Sequence, residues 1–166
     1  DENGEVCKVN LLEKLLVSLL AKLGNFVIDG GVWLNTQRPE WNDANNALVG
    51  HGLSVVTLCY LRRYVAFLIE LLAQESESFA VSAEVSRWLA DTSAALHAVR
   101  PLLGGEPIAP IARYESMLKL GTAASNYRQA AYRQGRLSGP VEQSAESVVE
   151  TLGDALAVID HSINTN

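Results

Sequence analysis

The hydrophobic positions of this chain repeat with the period of an α-helix. The first stripe consists of leucines and precedes Gly24, a residue type that commonly ends helices. Its members are Leu11, Leu12, Leu15, Leu16, Leu19, Leu20 and Leu23. No segment sustains the alternation of every second residue that is typical of a half-buried strand. We therefore predict a first helix that ends at Gly24, in an all-α fold.

Four further helices are predicted, which makes about five in antiparallel hairpins. Polar connectors and prolines separate the segments, and proline suits the first turn of a helix. The segments are residues 53–74, about 82–100, Pro110 or Ile111 to Gly135, and about 140–163. The third helix shows a clear apolar face of Val85, Trp88, Leu89, Thr92, Leu96 and Val99. The fifth shows a stripe of Val141, Ala145, Val148, Leu152, Leu156, Ile159 and Ile163.

The second helix is the most apolar and is long enough to raise the question of a membrane span, which needs ~20 apolar residues. Arg62 and Arg63 lie in the middle of the run from Leu53 to Ala73. Each central charge costs ~2.5–3.5 kcal/mol in a bilayer. We therefore expect a deeply buried helix of a soluble protein, with Cys59 in the core. At least one of the two arginines is expected to pair with a carboxylate.

Composition and charge narrow the class of protein. The chain has 166 residues and a net charge of −6, which favours one acidic domain and speaks against a nucleic-acid binder. Its two cysteines are too few for a disulfide scaffold, and neither they nor the three histidines show metal-ligand spacing, so we expect no metal. The acidic start differs from a secretory signal, which favours a cytoplasmic location. Because the chain starts at Asp1 without Met, we expect a processed chain or a piece of a longer one.

Residues 28–52 form a predicted long loop, and loops of this length inside a compact domain are often functional. The loop contains carboxylates, amides and the tryptophans Trp33 and Trp41. An aromatic ring covers the apolar face of a sugar, and a carboxylic acid held against such a ring has a raised pKa, as a general acid requires. In the alternative interpretation, Asp43 or Asn42 caps a helix and Trp41 fills a gap in the core.

The order of residues in about 38–61 resembles the inverting cellobiose and chitobiose phosphorylase family, whose loop reads Trp-Asn-Asp-Gly. The residues that carry the resemblance are Trp41-Asn42-Asp43, Asn46, Val49-Gly50, Gly52 and Ser54. Ala44 and Asn45 depart from the Gly and Met that are usual in the family, and Leu53 stands where Glu is usual. The match therefore indicates the wider group of (α/α)6-barrel (six-hairpin) glycosidases more strongly than phosphorolysis itself.

The resemblance implies a glycoside hydrolase or an inverting glycoside phosphorylase with Asp43 as general acid. Glu40 would stand where the family has an Asp just before its Trp. The expected substrate is an oligo- or disaccharide, with inorganic phosphate as co-substrate in a phosphorylase and no other cofactor. The substrate-contacting residues would be Arg38, Trp41, Asn42, Asn45 and Asn46. His51, which borders the loop, is a further candidate for substrate contact.

Two expectations follow for the organisation of the protein. A barrel of twelve helices at ~11–12 residues each exceeds this chain, so residues 1–166 would be one all-α unit of a larger toroid. The rest of its own barrel or another chain would complete it and supply the second catalytic group, ~6.5–9.5 Å from the acid. The rival is a non-catalytic helical bundle for protein–protein interaction. An enzyme requires Asp43 and Trp33 or Trp41 to line one cleft.

Overall fold

A computed structural model describes residues 6, 8–35, 51–74, 77–134 and 137–165, with only the backbone at positions 35, 51 and 134. The described residues form five α-helices, one short 3₁₀ helix at Arg100–Leu102 and five short strands. The helices are α1 (Leu11–Leu23), α2 (Val55–Leu72), α3 (Ala83–His97), α4 (Pro110–Gln134) and α5 (Ala145–Asn164). The strands are β1 (Phe26–Val27), β2 (Gly31–Asn35), β3 (His51–Ser54), β4 (Ser78–Ser82) and β5 (Pro140–Ser144).

The fold is mostly helical, as predicted, and the helix bounds differ from the predicted ones by a few residues. The expectation that no strands exist is wrong for the described part of the chain. Strands β1, β2 and β3 form one antiparallel sheet in that order, and β4 pairs antiparallel with β5. The strands span between two and five residues, which is too short for a periodic pattern to stand out in the sequence.

Serine marks the boundary between strand and helix at three places. Ser54, Ser82 and Ser144 each end a strand and precede α2, α3 and α5. The hydroxyl of Ser54 accepts a hydrogen bond from the backbone N–H of Thr57 at 3.0 Å, which satisfies one free donor at the helix start. Because the apolar residues before these serines belong to strands, α5 begins five residues after the predicted start at Pro140.

The core lies where the helices face one another. Helix α2 packs mainly on α5, while α3 packs on both α4 and α5. The predicted apolar face of α3 is confirmed, since Val85, Trp88, Leu89, Thr92, Leu96 and Val99 are all buried. The largest fully buried side chains include Phe26, Leu16, Leu20, Leu58, Leu96, Leu152 and Ile159.

Helix α2 departs from the prediction of deep burial. Its inner face is buried through Leu58, Leu61, Val65, Leu68 and Leu72. Its outer face is exposed and mixed: the apolar side chains of Val56, Tyr60, Phe67 and Leu71 are uncovered, beside the charged Arg63 and Glu70. Cys59 also lies exposed, which corrects its predicted place in the core, because the neighbouring Leu58 takes the inward position. Within the described ranges, no helix combines the length and the apolarity needed to cross a membrane.

The expected pairing of an arginine in α2 is confirmed. The guanidinium of Arg62 binds the carboxylate of Asp160 on α5 with two nitrogens, the second contact being 3.2 Å between Nη2 and Oδ2. This bidentate geometry fixes the relative position of the two helices at their surface. Both side chains are partly exposed to solvent, so we expect the ion pair to contribute little to the free energy of unfolding.

Candidate active site

The predicted catalytic and sugar-binding residues follow strand β2 in the sequence. Most of them fall in the segment 36–50, outside the described residues: Arg38, Glu40, Trp41, Asn42, Asp43, Asn45 and Asn46. His51 is the first residue of β3, where only the backbone is described. Their assignment to a site therefore stays a prediction, and what the structure contributes is the geometry on either side of the segment.

Strands β2 and β3 form an antiparallel hairpin that brings the two ends of this segment together. The register pairs Val32 with Ser54 at one end of the hairpin and Asn35 with His51 at the other. Directly opposed residues in an antiparallel pair have Cα atoms ~4.5–5.5 Å apart. The chain therefore leaves the described fold after Asn35 and returns to it at His51, at neighbouring backbone positions. The ends of the predicted loop 28–52 are thus strands rather than irregular structure.

The two faces of the hairpin differ in burial. Val32 and Ser54 are paired and buried against the core. Trp33 and Leu53 are also paired, but they are 42% and 37% exposed. An exposed tryptophan beside a leucine offers a flat apolar surface close to the end of the hairpin. A purely structural loop would be expected to bury Trp33 in the core. The partial exposure of Trp33 does not agree with this expectation.

The backbone of β2 at Gly31 lies close to the backbone of Ser54, the residue that precedes α2. A Cβ atom at Gly31 would lie 3.0 Å from the carbonyl carbon and oxygen of Ser54. Such a contact is tighter than ordinary van der Waals packing, so glycine is the residue that allows β2 to lie this near to the end of β3. The hairpin and the first turn of α2 consequently form one connected unit.

One buried carboxylate fixes the turn before β2 to the rest of the protein. Asp29 has a φ of 56°, a left-handed conformation that Asp tolerates better than most residues. Its carboxylate accepts hydrogen bonds from the backbone N–H of Ile108 at 2.7 Å and from the hydroxyl of Thr165 at 3.2 Å. Its own backbone N–H donates to Ser162 Oγ at 3.1 Å. Two segments remote in the sequence, the one at Ile108 and the end of α5, therefore meet at Asp29.

His161 completes this cluster. Its Nε2 lies 3.1 Å from Oδ1 of Asp29, and the two side chains are only 7% and 4% exposed. The two atoms are within ion-pair distance but lack the alignment of a hydrogen bond. The only local sign of Asp29 in the sequence is the dipeptide Asp29-Gly30, a common turn pair that does not reveal these long-range contacts. The cluster positions the hairpin and does not by itself supply a reaction.

A second histidine also pairs with an aspartate, on another helix contact. Nδ1 of His97 on α3 lies 3.1 Å from Oδ2 of Asp154 on α5, and Nε of Arg100 lies 3.2 Å from Oδ1 of the same carboxylate. These contacts tie the end of α3 to α5. Among the described residues, no three or more His, Cys, Asp or Glu side chains are grouped so that they could hold a metal ion.

Comparison with known proteins adds no family assignment, because no protein-family model matches the chain and no curated protein matches it significantly.

Proposed function

We propose that the protein is a carbohydrate-active enzyme that cleaves a glycosidic bond, with Asp43 as its general acid. The proposal rests on the order Trp41-Asn42-Asp43, which resembles the loop of the inverting disaccharide phosphorylases. The observation that supports it is the hairpin: the segment with these residues starts and ends at the paired strands β2 and β3, next to the exposed ring of Trp33. An anchored hairpin with an exposed aromatic ring suits the recognition of a sugar.

The proposed reaction is a displacement at the anomeric carbon of an oligo- or disaccharide. Asp43 gives its proton to the glycosidic oxygen as the bond between this oxygen and the anomeric carbon breaks. An oxygen of water or of inorganic phosphate attacks the same carbon from the opposite face and inverts its configuration. Glu40, the other carboxylate of the segment, is assigned to the catalytic residues beside the acid. The second catalytic group, a base that takes the proton of the attacking water or a group that binds the phosphate, is assigned to helices outside this chain segment. Arg38, Trp41, Asn42, Asn45, Asn46 and His51 are assigned to the binding of the sugar.

The proposed setting is a segment of an (α/α)6 barrel that further helices complete. The exposed apolar side chains on the outer face of α2 support this, since large apolar side chains left uncovered on a helix commonly mark a surface that another element covers. Val56, Tyr60, Phe67 and Leu71 would then be buried by those helices. The helices would belong to the rest of the same barrel or to another chain, and they would supply the second catalytic group.

The decisive experiment is Asp43→Asn in the complete protein, assayed on a panel of glycans and glycosyl phosphates with and without inorganic phosphate. We expect turnover to fall by at least ~10²-fold, the usual contribution of a positioned acid, with an unchanged melting temperature. Asp160→Asn is the matched control, because it removes a carboxylate from a surface ion pair and should keep full activity. Normal turnover of Asp43→Asn would contradict the assignment of the acid.

The same panel determines the reaction type. Release of a sugar 1-phosphate that depends on added phosphate would identify phosphorolysis, and release of free sugar without phosphate would identify hydrolysis.

The second candidate function is a non-catalytic helical bundle that binds a partner protein. The exposed apolar side chains of α2 favour it, because uncovered large apolar side chains that lie together commonly mark interaction sites. Absence of activity across the whole panel, together with retained binding of a partner that is lost on changing Tyr60 and Phe67 to serine, would favour this candidate over the enzyme.

A further inference from the structure

The outer face of α2 carries apolar and charged side chains in one stripe. Tyr60 and Phe67 are 64% and 52% exposed, and Leu71 is uncovered as well. The charged side chains of Arg63 and Glu70 are also exposed. With 3.6 residues per turn, these five positions fall within about 100° of one another around the helix axis. They therefore form one continuous surface, which we call the outer stripe of α2.

The two charges of the outer stripe do not pair with each other. Arg63 and Glu70 are seven residues apart, and the rise of the helix separates them by ~10.5 Å along its axis. Within the ranges that the structure describes, neither side chain forms an ion pair with another residue. Arg63 lies only near the ring of Tyr60, with Cζ 5.8 Å from the ring centroid. Both charges are therefore open to a partner from outside the described fold, unlike Arg62, which Asp160 binds.

A second copy of the same chain is the partner that this arrangement of charges fits. When two α2 helices cross antiparallel about a two-fold axis beside Phe67, Arg63 of one copy lies opposite Glu70 of the other, and the symmetry repeats this pair. The two Phe67 rings then meet at the axis, and Tyr60 of each copy lies near Leu71 of the other. The stripe has no net charge, although the chain has a net charge of −6. Two acidic copies can therefore approach each other here without like charges in contact.

The size of the outer stripe determines the expected strength of the association. An aromatic side chain buries ~150–250 Å² when it is fully covered, so the half-exposed rings of Tyr60 and Phe67 would each add roughly 100 Å². With the remaining stripe residues and both copies included, the interface lies near the lower limit of ~1,200 Å² for specific complexes. We therefore expect a dimer that forms at micromolar protein concentration and dissociates on dilution.

We propose that the outer stripe of α2 binds a second copy of this chain in an antiparallel, two-fold arrangement. Helix α2 was described above as covered either by the rest of its own barrel or by another chain, and the proposal names that other chain. Reciprocal ion pairs between Arg63 and Glu70 set the orientation of the two copies, and the contact of the Phe67 rings excludes water at the axis. The dimer does not depend on Asp43 or on any reaction there.

The first test measures the mass of the protein by sedimentation equilibrium over a range of concentrations. We expect the mass of two chains at the highest concentrations and of one chain after dilution. Phe67→Glu places two like charges together at the axis and should give one chain throughout. Tyr132→Glu is the matched control, because Tyr132 is an exposed aromatic residue on α4, away from the stripe, and this variant should dimerise as the unmodified protein does. Thermal unfolding checks that both variants stay folded.

Exchange of the two charges tests whether the partner is a second copy in this orientation. Arg63→Glu and Glu70→Arg each place like charges opposite one another, so each variant alone should dimerise at least ~10-fold more weakly. The double variant exchanges both charges and should recover the association. A mixture of the two single variants should also form dimers, because one stripe then carries two negative charges and the other two positive ones. Asp43→Asn should dimerise as the unmodified protein does, which separates this proposal from the proposed reaction.

Three outcomes would overturn the proposal. They are the mass of a single chain up to millimolar concentration, a dimer that persists in Phe67→Glu, and a failure of both the double variant and the mixture to recover the association.

Discussion

The two small sheets differ in how the start of the helix that follows each of them is held. Each joins a strand to a helix at a serine, Ser54 in the hairpin sheet and Ser82 in the ribbon of β4 and β5. Ser54 caps its own helix through its hydroxyl. Ser82 instead donates its hydroxyl to Glu13 of α1 at 2.6 Å, and the second oxygen of Glu13 accepts the Ser82 N–H at 3.0 Å. A carboxylate from another helix therefore holds the start of α3.

The difference follows from where the strands lie in the sequence. The hairpin strands are close in sequence, and the single carboxylate of Asp29 fixes the turn before β2. The ribbon joins strands that are remote in sequence, with Ser78 paired to Ser144. Two buried carboxylates hold it: Glu13 binds the end of β4, and Glu84 accepts hydrogen bonds from the N–H and hydroxyl of Ser138 just before β5. A sheet without a local turn thus depends on side chains from helices.

The largest effect is expected at Glu13. Glu13→Ala leaves the N–H and hydroxyl of Ser82 without their acceptor in a buried place, and hydrogen bonds to a charged group contribute ~1.5–3 kcal/mol each. We expect the free energy of unfolding, measured by urea denaturation, to fall by about 3 kcal/mol. Glu13→Gln keeps one acceptor and should lose less. Equal losses in the two variants would show that packing, not the carboxylate, holds the ribbon.

Asp29 is expected to give the next largest effect, confined to the hairpin. Asp29→Asn keeps a residue that tolerates positive φ but removes the charge next to His161 and one acceptor. A loss of about 2 kcal/mol in the free energy of unfolding is expected. Hydrogen exchange should become faster at Val32, Trp33 and Leu53, while the amides of β4 and β5 keep their protection. Faster exchange in both sheets would contradict the separate anchoring of the two sheets.

A smaller effect is expected at the cap of α2. Ser54→Ala removes the acceptor of the Thr57 N–H, and the loss of an N-cap costs ~1 kcal/mol. Ser54→Thr keeps a hydroxyl in the same place and should restore most of the stability. Thermal unfolding of both variants measures the difference, and an alanine variant as stable as the threonine variant would refute the role of the cap.

The smallest effect is expected at Glu84, as a change in how the melting temperature depends on pH under acid conditions. Burial raises the pKa of its carboxyl, but the hydrogen bonds from Ser138 and the charge of Arg87 outweigh burial, so that the pKa lies below its ordinary value of 4.5. The stability from the ionised form is present above 4.5 and is lost as the pH falls through the lower pKa of the folded state. The melting temperature of Glu84→Gln should therefore decline less toward acid, and parallel curves would contradict this.

The sequence predicted the helices well because their apolar stripes are long and local. The apolar face of α3 shows this most clearly, since Trp88, Leu89 and Leu96 are all buried as expected. The strands escaped prediction because each is short and β4 finds its partner more than sixty residues later, at β5. Periodicity along one helix also does not show what covers its second face, which is why the prediction of Cys59 in the core is wrong.

The contacts that hold the hairpin could not be predicted from the sequence. The chemistry assigned to the segment with Asp43 rests on its residue order and stays a prediction. Asp29 gives no sign of its role in the sequence, since its partners Ile108, Ser162 and Thr165 are remote from it along the chain. A local sequence pattern gives no information about hydrogen bonds between residues this far apart in the chain.

The cluster at Asp29 also sets an order of events for folding. The hydrogen bonds that hold the turn span 133 residues to Ser162 and 136 to Thr165. Contacts of such long range form late, because closing the long intervening chain costs conformational entropy before the contacts can stabilise the fold. During synthesis the hairpin therefore emerges long before its anchor exists. The position of the hairpin of β2 and β3 becomes fixed only when the last turn of α5 docks.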